Sequence, residues 1–315
     1  MSKKTIARFS RFVIYLAAAS TVFSACASNS GKSPEKGGTA SDSAPRVIGK
    51  ISSKDIDESS GVTASKCDHN VLWTHNDSGD DAYIFAIDLK GDVIGTWHVP
   101  DAENDDWEDI ASMKDGSGNC FLYIGDTGDN KQRRTEHKIY RVPEPVTKGV
   151  GESSRKQPLQ TATPEVLRYA FPDYKQDAEA LMVHPNSGEI YIVTKRISGP
   201  AGVYKLAPSF GSDTVVKLEK VAEVSVPAIP NGLITGGDIS PDGAHVALCD
   251  YSQGYELTLP AGAANFDMIW QQQPQPIGLG KRPSGESICY SIDGSAVFAT
   301  SEGKKAPLIE VDLRK

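Results

Sequence analysis

Five times along this chain a polar, carboxylate-bearing stretch runs straight into a small or apolar segment. The five are Asp57-Glu58-Ser59-Ser60-Gly61-Val62, Asp105-Asp106-Trp107-Glu108-Asp109-Ile110-Ala111, Asp177-Ala178-Glu179-Ala180-Leu181, Gly237-Asp238-Ile239-Ser240 and Gly285-Glu286-Ser287-Ile288. A polar turn follows each, at 65–70, 114–119, 184–188, 240–243 and 292–295. These turns are rich in Asp, Asn and Gly, residues that tolerate positive φ and so suit hairpins. Second segments at 71–75, 121–125, 190–194, 245–249 and 296–300 are apolar or β-branched at nearly every position. That is the pattern of strands buried on both faces. Third strands are expected at 83–88, 137–142, 202–206, 254–259 and 308–313, and fourth strands at 93–99, 166–171, 215–226 and, more weakly, 276–279.

A four-stranded antiparallel unit recurring roughly every 50–70 residues is the signature of a β-propeller. The last repeat holds three strands, and an unassigned strand at 46–51 precedes the first. If that strand supplies the missing outer one, it closes the ring and removes two exposed edges. The expectation is therefore an all-β chain with one propeller domain at 46–315, of five blades with four antiparallel strands each. Six blades remain an alternative, because the polar, Pro-containing stretch 148–164 is read as a loop. Segment 261–272 is expected to be a short surface helix.

The first 25 residues form a separate unit. Lys3, Lys4, Arg8 and Arg11 make a positive start, and 12–23 is an apolar run too short to stay as a membrane-spanning helix. It ends at Phe23-Ser24-Ala25-Cys26, which resembles a bacterial lipoprotein cleavage box with Cys26 as the lipidated residue. An ordinary secretory signal cut nearby is the alternative, and either places the domain outside the cytoplasm. Residues 26–45, rich in Ser, Gly, Lys, Pro and Ala, read as a flexible tether. Ala27 and Ser28 after the cysteine resemble outer-membrane sorting in a Gram-negative cell. The expected address is the cell envelope, with membrane attachment through a lipid on Cys26.

Composition adds two constraints. With 29 Gly and 19 Pro but only 8% aromatic residues, the chain favours many short strands over helices. Its formal net charge is −8, and the first 25 residues contribute only positive charge, so the rest is more acidic still. Such a surface disfavours nucleic acid and suits cations. After Cys26 four cysteines remain, Cys67, Cys120, Cys249 and Cys289, which allow two disulfides or free buried thiols. Cys67 and Cys120 occupy matching turn positions of successive repeats.

The candidate chemistry follows from the propeller phase. First strands line a central channel and run the same way, so Glu58, Glu108, Glu179, Asp238 and Glu286 are expected to ring one mouth, with Asp109 and Asp177 beside them. So many like charges repel unless some protonate or a cation sits among them. An all-oxygen, flexible set suits calcium, and no His/Cys cluster has zinc spacing. The second strands end at the same mouth, at His75-Asn76-Asp77-Ser78-Gly79-Asp80 and Gly125-Asp126-Thr127-Gly128-Asp129. Asp77, Asp126, Lys195, Arg196, Arg282 and Glu302 are the candidate ligand-binding residues. Bases beside a cation would hold a phosphate or carboxylate. His75, Glu108 and Asp109 are the catalytic candidates, if there is catalysis. Plain Asx turns and hydrogen bonding to nearby N–H groups are the structural alternatives.

Several of these motifs together resemble a bacterial family of secreted β-propeller proteins. They are Thr74-His75-Asn76-Asp77-Ser78-Gly79-Asp80, Asp106-Trp107-Glu108-Asp109-Ile110-Ala111, Tyr123-Ile124-Gly125-Asp126-Thr127-Gly128-Asp129-Asn130 and Tyr140-Arg141-Val142-Pro143-Glu144-Pro145. The resemblance covers nearly all of 51–315 and implies a fold, not an activity. More remotely, the acid before each first strand is similar to two propeller groups that act on phosphate esters, the esterase-like phytase domain and the calcium-activated nucleotidase (apyrase) with calcium in its channel. Two functions follow as expectations. One is a monomeric envelope lipoprotein, calcium-stabilised, that binds a small anionic molecule or an envelope protein at its channel mouth. The other is a calcium-dependent phosphoester hydrolase.

Overall fold

A computed structural model describes residues 44–314. The leader, Cys26 and the tether up to residue 43 lie outside the described residues. The β-branched and apolar repeats form five small sheets arranged as a five-bladed propeller. Blade 1 is Ser59–Ala64, Val71–Asn76, Tyr83–Asp88 and Val93–His98; blade 2 is Trp107–Lys114, Cys120–Asp126, His137–Pro143 and Glu165–Ala170. Blade 3 is Ala178–Val183, Ile190–Arg196, Ala201–Leu206 and Glu219–Val224; blade 4 is Gly236–Ile239, His245–Cys249, Gly254–Thr258 and Gln275–Ile277. Blade 5 is Gly285–Tyr290, Ala296–Ser301 and Pro307–Asp312, and Arg46–Lys50 pairs antiparallel with Pro307–Asp312 as its outermost strand.

The first strand of each blade packs against that of the next, and the fifth against the first, so these five are the inner strands. Apolar residues on the blade faces meet in five clusters, one between each pair of neighbours. Trp73, Trp97, Trp107 and Tyr140 pack between blades 1 and 2, and Tyr123, Tyr169 and Tyr204 between blades 2 and 3. Val62, Phe85, Cys289 and Phe298 fill the seam between blades 5 and 1. The core is thus a ring of seams between neighbouring blades.

Four of the five inner hairpins carry a register shift. It falls between Ser59 and Val62, Trp107 and Asp109, Ala178 and Ala180, and Gly285 and Ser287. A bulge inserts an extra residue and re-aims its side chain. Blade 4 pairs without a shift, Gly236 with Cys249 and Gly237 with Leu248.

The blades are also strapped together in ways the repeat pattern does not reveal. Segment 148–164 is not a bare loop: Leu159–Gln160 lies parallel to the outer strand of blade 1, so that sheet has five strands. The strand expected over 215–226 is two strands. Val216–Lys217 lies parallel to Glu165–Ala170 of blade 2, and only Glu219–Val224 belongs to blade 3. The expected surface helix is a single 3-10 stretch, Phe266–Gln271, whose Ile269 and Trp270 are buried in the core between blades 3 and 4. Cys67 and Cys120 form a disulfide between blades 1 and 2, while Cys249 and Cys289 are free and buried.

Candidate functional site

The bulges decide what stands at one mouth of the channel. Their extra residues, Glu108, Glu179 and Glu286, turn into a shared cavity of about 290 Å³, and Ser60 does the same from blade 1. Asp77 and Glu302 enter from the ends of second strands, and Lys195 from that of blade 3. Asn130, Tyr251 and Ser284 complete the lining, so all five blades contribute. Every lining group but one offers oxygen; the exception is the Lys195 ammonium, apart from the amide nitrogen of Asn130.

Oxygens of Asp77, Asp106 and Glu108 come within 4.8 Å of one another, and so do those of Glu108, Asp177 and Glu179. Glu108 therefore joins two groups of three. Lys195 Nζ contacts Glu179 Oε1 and lies 3.9 Å from Asp177 Oδ2. A Cβ at position 128 would meet the Glu108 and Asp106 carboxylates, so a larger residue there would displace them. The Gly128 N–H donates to the Asp106 carbonyl at 3.1 Å.

Burial and crowding raise the affinity of these acids for protons. Burial pushes Asp77 up to about 6, helped by Glu302 and Glu58, and it pushes Asp106 up to about 6, helped by Asp77. Burial raises Glu108 well above the usual carboxylate range, and Glu286 rises to about 8, again chiefly by burial and then by Glu302. Asp177 is raised by burial against the opposing pull of Lys195. A carboxylate so placed takes up either protons or a cation.

The five-membered ring expected from sequence is three-membered here. Glu58 is exposed and does not line the cavity; its backbone carbonyl accepts from Asp77 N at 2.9 Å. Counting back from Val62, Leu181 and Ile288 puts Ser60 in the column of Glu179 and Glu286, which is the signal that would have found it. Asp238 lies away from the cavity because blade 4 lacks the bulge. Its oxygens accept from Ile239 N at 2.8 Å and Tyr290 N at 2.9 Å, bracing blade 4 to blade 5. Asp106, Asn130, Tyr251 and Ser284 had no strand-phase signal, since loops deliver them.

The other candidates divide similarly. Asp109, next to Glu108, is turned away from the cavity; its carboxylate accepts from Ile110 N at 2.8 Å, Leu181 N at 3.0 Å and Gly237 N at 3.4 Å, joining three inner strands. His75 is fully buried against Trp107, its Nδ1 2.9 Å from the Asn76 carbonyl, and burial pushes its pKa down to about 4. It stands in the wall, not at the cavity. Asp126 is buried and accepts from Arg134 Nη1 at 2.7 Å and Asp106 N at 3.1 Å. Arg282 is buried too and donates to the carbonyls of Asp250, Thr300 and Ser287 at 2.9, 3.2 and 3.4 Å. Arg196 donates to the Tyr174 hydroxyl at 2.9 Å and lines a second cavity of about 320 Å³ with Lys195, Asp177, Asn130, Gln132, Ile197 and Ser198. The two cavities share Lys195 and Asn130.

Compared with known proteins, the chain matches no family model and no curated sequence.

Proposed function

We propose that the protein is a monomeric cell-envelope lipoprotein whose propeller holds a divalent cation at its acidic mouth and binds a small anionic ligand or an envelope protein there. One observation carries the cation: Asp77, Glu108, Glu179, Glu286 and Glu302 line one cavity with Lys195 as its sole ammonium, and Asp106 and Asp177 adjoin them. The residues fit calcium, which takes 6–8 oxygens at about 2.3–2.6 Å and tolerates irregular geometry. Glu108 would be central to the ligand set, with Glu179, Asp77 and Glu286 around it and the Ser60 and Ser284 hydroxyls as neutral donors. Bound there, the cation would supply fixed positive charge; the chain's own part is to hold the acids close against their repulsion. Calcium titration by calorimetry tests this: the protein should bind one ion or a pair, and Glu108→Gln should abolish binding. No heat of binding in chelator-stripped protein would sink the reading.

The second reading is a calcium-dependent phosphoester hydrolase. It draws support from the adjoining cavity, where Lys195 and Arg196 could take the charge of a phosphoryl group. With His75 and Arg282 committed elsewhere, those two and the mouth acids are what remains for it. Nucleotides, phytate and aryl phosphates, each tried with calcium and with EDTA, decide between the readings by turnover.

Two further elements belong to this proposal. Cys26 carries the lipid, so Cys26→Ser protein should leave the detergent phase on partitioning. The strand Arg46–Lys50 acts as the clasp of the ring, and deleting it should leave Pro307–Asp312 as an open edge prone to association.

A further inference from the structure

The channel has a second mouth, and its chemistry is opposite. A cavity of about 280 Å³ lies at the first turns of the blades, and each blade contributes to it: Lys66 from blade 1, Ser112, Met113 and Lys114 from blade 2, Val183, Pro185 and Asn186 from blade 3, Ile239 and Pro241 from blade 4, and Ile292 from blade 5. Among the described residues no carboxylate lines it. Its charges are the two ammonium groups of Lys66 and Lys114, and Met113, Val183, Ile239 and Ile292 give it an apolar wall beside the polar Ser112 and Asn186.

Lys66 is the unusual member. Its Nζ is buried and has no hydrogen-bond partner among the described residues. A buried donor left alone is costly, and a charged one more so. Lys66 acts on Asp238 electrostatically but makes no hydrogen bond to it; the Asp238 oxygens accept from Ile239 N and Tyr290 N. Nor is the lysine loosely placed. Cys67, its neighbour, is tied to Cys120 by the disulfide, and Ser65 Oγ accepts from Cys67 N at 3.1 Å and Asp68 N at 2.7 Å. These contacts anchor the backbone from which Lys66 reaches the cavity, where its Nζ is buried. Beside it, the Ser112 hydroxyl donates to the Ala64 carbonyl at 2.6 Å, so its proton is already committed and it offers no competing charge.

We infer that this second mouth binds a small organic carboxylate: the carboxylate meets Lys66 Nζ at the floor, the apolar body lies against Met113, Val183, Ile239 and Ile292, and Lys114 attracts it at the rim. A bare inorganic anion would leave those aliphatic walls wet. A neutral ligand of the same shape would leave Lys66 unpartnered, and a cation is repelled. The site does not depend on the cation reading of the opposite mouth.

Calorimetric titration of the full-length protein with hexanoate, hexanol and inorganic phosphate tests the assignment. Hexanoate should bind, and hexanol and phosphate should bind at least about tenfold more weakly, the loss expected when a charge-assisted contact or the apolar contact is missing. Lys66→Met should weaken hexanoate by a similar factor. Because that variant also removes a charge facing Asp238, its melting temperature is measured alongside, and Asn186→Trp serves as a second variant that blocks the rim while keeping Lys66. Loss in Asn186→Trp at unchanged melting temperature supports the site. Equal binding of hexanol, equal binding of phosphate, unchanged binding in Lys66→Met, or no binding of hexanoate by the wild-type protein overturns it.

Discussion

Asp109 and Asp238 sit inside the channel; Glu108, Glu179 and Glu286 sit at its mouth. All five are buried acids on inner strands, and burial raises the proton affinity of Asp109, Asp238, Glu108 and Glu286. Their surroundings separate them. Asp109 accepts three backbone N–H groups, two of them from neighbouring inner strands, and Asp238 accepts two, one of them from the neighbouring inner strand, so each is a strut between blades. The three glutamates face other acids and Lys195. The same side-chain chemistry thus serves cohesion where backbone donors surround it and leaves a site where they do not. Glu108 and Asp109 make the point most sharply, because a single bulge between adjacent residues assigns them to different tasks.

The largest effect should come from breaking a strut. Asp109→Ala leaves Leu181 N and Gly237 N without their acceptor, at about 1–3 kcal/mol for each buried donor. Loss of roughly 3 kcal/mol in urea unfolding is expected, with Asp109→Asn losing less. An Asp109→Ala protein as stable as wild type would erase the distinction. The reverse outcome is expected at the mouth. Glu108→Gln should leave chelated protein no less stable, because it removes like-charge repulsion.

Next in size is the cation. Binding only the folded state at 100 times Kd, calcium should add about 2.7 kcal/mol. EDTA should lower the melting temperature of wild type and not that of Glu108→Gln.

The pH dependence sharpens the contrast further. Asp77 and Asp106 rise from 3.8 to about 6 on folding, and Glu286 from 4.5 to about 8. Between those values the folded state binds more protons than the unfolded, so in chelator the mouth acids favour the folded state more as pH falls. Their contribution is fully present below about pH 4 and lost as pH rises through about 6 to 8. Calcium competes with the same protons, so its stabilisation should shrink as pH drops from 8 to 5. A calcium increment that does not change over this range would remove the mouth acids from the binding site.

The smallest effect should belong to Glu58. It is exposed and outside the cavity and reaches the site only through its charge on Asp77, so Glu58→Gln should weaken the calcium response slightly, less than Ser60→Ala, which removes one neutral donor.

These cases also show what the sequence can carry. The repeat of acid, apolar strand and turn was enough for the fold, the inner strands and their order, because pleat and burial write a period into the chain. The neighbouring positions of Cys67 and Cys120 were legible for the same reason. The choice of Glu108 over Asp109 was legible as well, whereas whether a blade carries the bulge that turns a residue to the mouth was not, because the acid before each strand does not mark it. Reading by charge alone points to Glu58, where the count from Val62 points to Ser60, and it includes Asp238, although blade 4 lacks the bulge. Arg282 was misplaced for a different reason: a guanidinium can be drawn inward by three carbonyls that come from Asp250, Ser287 and Thr300, and no local pattern announces that.

The short parallel pairings between blades bear on how the chain comes together as it emerges. Val93–His98 finds its parallel partner only at Leu159–Gln160, and Glu165–Ala170 only at Val216–Lys217. The outer edges of blades 1 and 2 therefore stay unsealed until much of the following blade has been delivered. Pairings so distant along the chain form late and slowly, since the intervening segment must first be ordered. Assembly should then proceed in overlapping steps, blade 1 becoming protease-resistant only after blade 2 has its third strand, and blade 2 only after the third strand of blade 3.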